Sequence, residues 1–214
     1  MSTKKSMIAV GIILLAALAA SLYAYPLLPA MIASHWGIDG QANGYMDKFW
    51  GVFLFPLIML ICAVLFFVIP KIDPLRENIA GSRKYYDGLI IIFLLFFLYM
   101  HCITISWNLG YRFNFTEALS PAFALLWFSM GMALPHIKRN WLIGIRTPWT
   151  LSDDHVWDAT HKLGGRLFEI SGALVLGGFL FPEATLWLVL CPIIISAIIV
   201  IMYSYFLYEK QHRG

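Results

Sequence analysis

The sequence predicts an all-α integral membrane protein of six transmembrane helices with both termini cytoplasmic. Three observations predict it. Hydrophobic residues make up 60% of the 214 positions and charged residues only 13%, against roughly 25% charged in soluble domains. A span needs roughly 20 mostly apolar residues, and six apolar runs approach or exceed that length: 7–28, 50–70, 88–106, 118–134, a short one at 166–180, and 184–208. Finally, alternating these runs across a bilayer puts 13 of the 15 Lys and Arg on the side of the N-terminus and leaves only Lys48 and Arg112 opposite. By the positive-inside rule that side is the cytosol.

Each element follows in order within a single polytopic domain, 1–214. Residues 1–70 hold the first two helices and, between them, an extracellular loop at 29–49. The first run follows Lys4 and Lys5 as a signal peptide would, but its apolar stretch is longer than a signal peptide needs and is read as an uncleaved helix. Pro26 and Pro29 end it. The pairs Asp39-Gly40 and Asn43-Gly44 mark two turns, so the loop is expected to be compact and turn-rich, with the His35-Trp36 pair near its middle. Trp36 reads equally as a binding group or as part of the interfacial aromatic belt, with Trp50, Trp107, Tyr111 and Trp187.

Residues 71–135 hold helices three and four, 136–165 a cytosolic motif loop, and 166–214 helices five and six. Pro148 disfavours helix at Thr147. Ser152 followed by Asp153 and Asp154 predicts a capped helix start, and Gly164-Gly165 predicts its stop. A short amphipathic helix on the inner membrane surface is therefore expected between helices four and five. Val156, Ala159, Thr160 and Leu163 would form its apolar face and Asp154, His155, Asp158, His161 and Lys162 its polar one.

Chemistry-bearing patterns are sparse. Cys62, Cys102 and Cys191 lie in apolar runs without ligand spacing. Asp154, Asp158 and His161 stand at i, i+4 and i+7 with His155 nearby, a pattern compatible with a divalent cation but equally with a solvated helix face holding an Asp158–Lys162 pair; no metal and no cofactor is expected. No catalytic motif is present, so no enzyme and no catalytic residue are expected. Among ionisable residues in or beside spans, Glu169 is expected to pair with Arg166, Asp87 to find a partner in Arg83 or Lys84, and His101 to be a hydrogen-bonded interfacial histidine. Ala173, Gly177 and Gly178 read as close helix packing.

Two segments carry a resemblance. The outer one runs Leu28-Pro29, Ile32 to Trp36, Gly40-Gln41, Tyr45 and Lys48, with Ala33 at a usual proline. The inner one runs WLIGIRTPWTLS over 141–152, then Val156-Trp157, Thr160-His161 and Gly164-Gly165. Together they resemble the SdpI family of bacterial membrane immunity proteins. The resemblance implies a multi-pass protein of the bacterial cytoplasmic (inner) membrane that protects the cell from a secreted peptide toxin at its outer face. It also implies signalling, by holding a winged-helix repressor at the inner face, without direct contact to nucleic acid. Toxin-facing candidates are then His35, Trp36, Gly40 and Tyr45, and partner-facing candidates Arg146, Thr147, Asp154, Asp158 and His161. A small-solute or peptide transporter, marked by a hydrophilic path through the bundle, is the alternative; membrane lipid is a partner in either case.

Overall fold

The computed structural model describes residues 3–213. Eight helices are α1 (Thr3–Ala24), α2 (Lys48–Ile72), α3 (Arg76–Gly81), α4 (Arg83–Asn108), α5 (Phe115–Ala133), α6 (Pro148–Ser152), α7 (Asp154–Val175) and α8 (Thr185–His212). Two strands, β1 (Met31–Trp36) and β2 (Ala42–Asp47), pair antiparallel between α1 and α2. Five helices are long and apolar enough to cross a membrane: α1, α2, α4, α5 and α8. Their apolar side chains remain largely exposed, Leu15, Leu22, Leu57, Ile61 and Ile198 among them, as expected where the surrounding solvent is lipid.

The helices pack as two trios. In one, α1, α2 and α4 bury Val10, Ile13, Met59, Ala63, Ile90 and Leu94 against one another. In the other, α5, α7 and α8 pack together, with Val175 of α7 and Val189 of α8 meeting Ala124 of α5. Contact between α4 and α5 joins the trios.

Polar contacts gather at the two ends. At one end the hairpin bonds to the end of α4 and the start of α5. At the other, Ser6 of α1 donates to Asp87 of α4, Asn78 of α3 reaches Arg139, and His212 of α8 lies 3.7 Å from Asp153. Both ends of the described chain therefore lie at the second end. We call the hairpin end outer and the other inner, following the charge pattern.

Three sequence expectations change. The outer loop is a β-hairpin rather than a set of turns; its strands alternate in exposure through β2, where Asn43, Tyr45 and Asp47 are exposed. The short surface helix and the fifth span are one helix, α7. Gly164 and Gly165 do not stop it, because both are buried in its interior: Gly164 faces Ile145 and Val200, and a Cβ on Gly165 would stand 2.8 Å from the Gly131 carbonyl oxygen of α5 and against Pro135. Third, the tight α5–α7 crossing uses Gly131, Gly165 and Gly172, not Ala173 and Gly177, although Gly178 does abut Thr185.

Because backbone atoms oppose these glycines, the helices can accommodate a side chain only by separating. We expect Gly165→Val to destabilise the fold by roughly 1–3 kcal/mol, the usual range for overpacking. Gly88→Ala, which meets nothing within 4 Å, should leave stability unchanged or raise it. Thermal unfolding in detergent followed by tryptophan fluorescence checks this, and equal midpoints for the two variants would refute it.

Candidate functional site: two folded polar caps

The outer cap is a hairpin clamped to the helices by side chains. Asn108 closes α4 and acts on β1 as a neighbouring strand would: its Oδ1 accepts from Ala33 N at 2.7 Å and its Nδ2 donates to Ala33 O at 3.0 Å. Asp47 caps α2 through Phe49 N, and Asn114 caps α5 through Glu117 N. The pairing is irregular on both sides of His35, which is how Ser34 and the following residues change face.

The four outer candidates divide. His35 and Tyr45 are exposed, and His35 Nδ1 lies 2.5 Å from Asn43 Oδ1. Trp36 instead turns inward. Its ring stacks on Phe115 at 3.6 Å between centroids and meets Trp107 edge-on, while the Arg112 guanidinium covers Trp107. Its indole Nε1 is buried with no hydrogen-bond partner among the described residues, a condition that costs about 1–3 kcal/mol. Gly40 is buried at the hairpin tip with φ of +71°, and its carbonyl accepts from Phe115 N. A side chain there would strike Asn114, so Gly40 serves the turn.

The inner cap is built from 134–153 and the first half of α7. Asn140, fully buried, organises its turn: Oδ1 accepts from Leu142 N and Ile143 N, and Nδ2 donates to the carbonyls of Lys138 and Ile143. Asp73 takes Trp141 N on one oxygen and Leu75 N on the other. Ser82 takes Lys138 N. Thr147 and Thr150 form a reciprocal capping box at α6, and Thr147 Oγ1 also reaches Ser204 of α8 at 3.0 Å.

Trp157 and His161 are the centre of this cap. The Trp157 indole donates to Ile137 O at 2.7 Å, and the His161 ring stacks on it at 4.0 Å. His161 Nε2 accepts from Ile145 N at 3.0 Å, so Nδ1 carries the proton and bonds Trp157 O at 2.9 Å. Gly144, at φ +112°, brings the chain so close to His161 that no Cβ fits. Burial lowers the His161 pKa to about 4, partly opposed by the Trp157 carbonyl.

The inner candidates divide as well. Thr147 and His161 are buried in the cap's own hydrogen bonding. His161 thus lies on the buried face of α7 with Val156, Trp157 and Thr160, not on the polar face assigned from the helical wheel, because Trp157 and Ile145 occupy it from both sides. Arg146, Asp154 and Asp158 are exposed; Arg146 donates to Trp141 O and Asp154 pairs with Arg139 at 2.6 Å. His161 and the two aspartates therefore do not converge as cation ligands would. The helix cap also shifts: Asp153 Oδ1 accepts from Val156 N, while Ser152 Oγ donates to Pro148 O.

Other expectations fare variously. Asp87 is buried and pairs with Arg83 at 2.7 Å. His101 is buried against Ser21 at 2.9 Å. No ion pair joins Arg166 to Glu169 or Asp158 to Lys162 among the described residues. Asn108, Asn140 and Asp73 carry no sequence signal beyond the readiness of Asn and Asp to bond nearby backbone.

A helical bundle of membrane-crossing length with a folded polar cap at each end defines a multi-pass membrane protein. The SdpI/YfhL family model matches residues 136–204, and a domain of unknown function (DUF1648) matches 12–60. The chain is 26% identical over 211 residues to the Immunity protein SdpI of Bacillus subtilis (strain 168), covering 99% of each chain. Over residues 136–204 the chain is thus similar to the SdpI family. No solved structure matches it.

Because the cap uses neutral His161, the unfolded segment takes up a proton near pH 6.5 that the folded one refuses until about pH 4. The stability this lends is full above about pH 6.5 and is lost progressively as the pH falls toward 4. Hydrogen exchange of 137–151 should therefore quicken over that window, and His161→Asn should flatten the dependence. An exchange rate independent of opening pH in the parent protein, after correction for intrinsic chemistry, would contradict this assignment.

Proposed function

We propose that the protein is an immunity protein of the bacterial cytoplasmic membrane that protects its cell from a secreted peptide toxin met at the outer cap. The observation that carries this reading is the similarity to Immunity protein SdpI over 99% of both chains, which takes in both caps rather than the helices alone. In this reading α7, shielded between α5 and α8, is a sixth crossing, both termini are cytosolic, and the inner cap holds a winged-helix repressor when toxin is engaged outside. His35 and Tyr45 present themselves to the toxin, and Arg146, Asp154 and Asp158 to the regulator. Gly40, Thr147 and His161 support these surfaces from within.

Damage to one side should then spare part of the other function. Tyr45→Ala is expected to lower both survival and the transcriptional response, since the response requires the toxin to be sensed. Arg146→Ala should abolish the response and leave survival largely intact. The measurement is survival against a dilution series of toxin-containing culture supernatant, beside a promoter reporter in the same strains, with membrane insertion checked for each variant. Equal loss of both readouts in a well-inserted Arg146 variant would contradict the two-surface reading and favour a transport cycle.

A further inference from the structure

At the inner end of the bundle a groove runs between α4 and α5 and reaches Glu169 of α7. Lys84, the second residue of α4, lines it beside Tyr85, whose ring stacks on His136 at 4.1 Å. Glu169 stands level with Gly131, where a Cβ would lie 2.7 Å from Glu169 N; Gly131 is two residues, or roughly 3 Å, from the end of α5. Both charged groups therefore lie where the helices leave the hydrocarbon. Neither has a counter-ion in the chain: among the described residues no ion pair joins Lys84 to Glu169, and Arg166 does not pair with Glu169. An ionisable side chain left open on a membrane-spanning element points to a function.

A second groove continues the first. The two share Ile92, so one track follows α4 from Lys84 to Cys102, with Leu125 and Leu126 of α5 opposite its far half. That half is apolar; the hydroxyl of Tyr99, which also lines it, is already committed to Ala118 O. Leu95 and Leu125 on its walls are exposed, which on a membrane-crossing helix means open to lipid. From Gly88 to Cys102 the track is roughly 21 Å long, enough for a chain that crosses one leaflet, half of a hydrocarbon core roughly 30 Å thick.

We infer that this track binds a phospholipid with a primary ammonium headgroup, a phosphatidylethanolamine, with its phosphate on Lys84, its ammonium on Glu169 and one acyl chain between α4 and α5. The apolar half calls for an acyl chain, and the two opposite charges select the headgroup. Every phospholipid brings a phosphate for Lys84, but only an ammonium also answers Glu169. Phosphatidylglycerol would set a net negative headgroup against that carboxylate. Phosphatidylcholine brings a cation with no N–H, and so forgoes the charge-assisted hydrogen bond. The inference rests on the membrane-crossing helices and not on the toxin reading.

The test is native mass spectrometry of the full chain in detergent, titrated separately with the dioleoyl forms of phosphatidylethanolamine, phosphatidylcholine and phosphatidylglycerol. One equivalent of the ethanolamine lipid should be retained about tenfold more tightly than either other lipid, the scale of one hydrogen bond to a charged group. Glu169→Gln should abolish that preference and leave phosphatidylglycerol bound at least as well, which also shows the variant folded. Lys84→Gln should weaken all three lipids alike, since all carry the phosphate. The inference is overturned if the parent protein does not prefer the ethanolamine lipid, the result expected if Lys84 and Glu169 simply close on each other. It is equally overturned if the preference survives Glu169→Gln or if Lys84→Gln changes nothing. The comparison of lipids on the parent protein stands whatever the variants do, and no toxin enters it, so its failure leaves the immunity reading intact.

Discussion

Non-helical backbone near a bilayer must have its N–H and C=O groups satisfied within the protein, since lipid offers no partners. The rest of this structure depends on how that requirement is met. Helices satisfy their own backbone; the hairpin and the inner segment cannot. At the outer end Asn108 supplies both a donor and an acceptor to Ala33, doing for the edge of a two-stranded sheet what a third strand would do. At the inner end Asn140, Asp73, Ser82, Thr150 and His161 take up amides of the 138–147 stretch one by one. Almost every buried polar side chain in the caps is committed to backbone, which explains why so many of the polar residues there are not free for chemistry.

The same bonds tie the two helical trios together. Trp141 binds Asp73 and Ile143 packs on the α1–α2–α4 core, while Thr147 bonds Ser204 and Trp157 stands in α7. The inner cap therefore touches both trios, as does a cavity beneath the outer hairpin, lined by Leu54 of α2 and Leu186 of α8. With direct joining confined mainly to α4 and α5, the caps are well placed to register a shift of one trio against the other. In the function proposed above, toxin engagement outside and regulator capture inside would be linked by ordinary helix packing rather than by a polar relay through the bundle.

The spans were legible because hydrophobic run length reports directly on membrane crossing: α1, α2, α4, α5 and α8 fall close to their runs. The caps were legible as polar segments with definite shape, and Thr147, which Pro148 disfavours in a helix, is indeed extended, although the short helix α6 after it had no signal of its own. What failed were local signals overruled by tertiary contact. Gly164-Gly165 has the composition of a helix stop, yet only packing of Gly164 against Ile145 and of Gly165 against Gly131 and Pro135 reveals that it is a contact surface. His161 sits on the polar side of a helical wheel, yet Trp157 and Ile145, the latter 16 residues away, make it core. Asn108 and Ala33 are 75 residues apart, and nothing in either neighbourhood announces the other.

The account's central claim is that the two caps stand on opposite faces of the membrane. Its most direct measurement is labelling of single cysteines by a membrane-impermeant thiol reagent in intact cells, in a background lacking Cys62, Cys102 and Cys191. Ile38→Cys and Asp158→Cys are suited to it, since Ile38 is 62% exposed and Asp158 is also exposed. The account predicts that the cysteine at 38 is labelled in intact cells and the one at 158 only after the membrane is permeabilised. Labelling of both in intact cells, or of 158 alone, would contradict it.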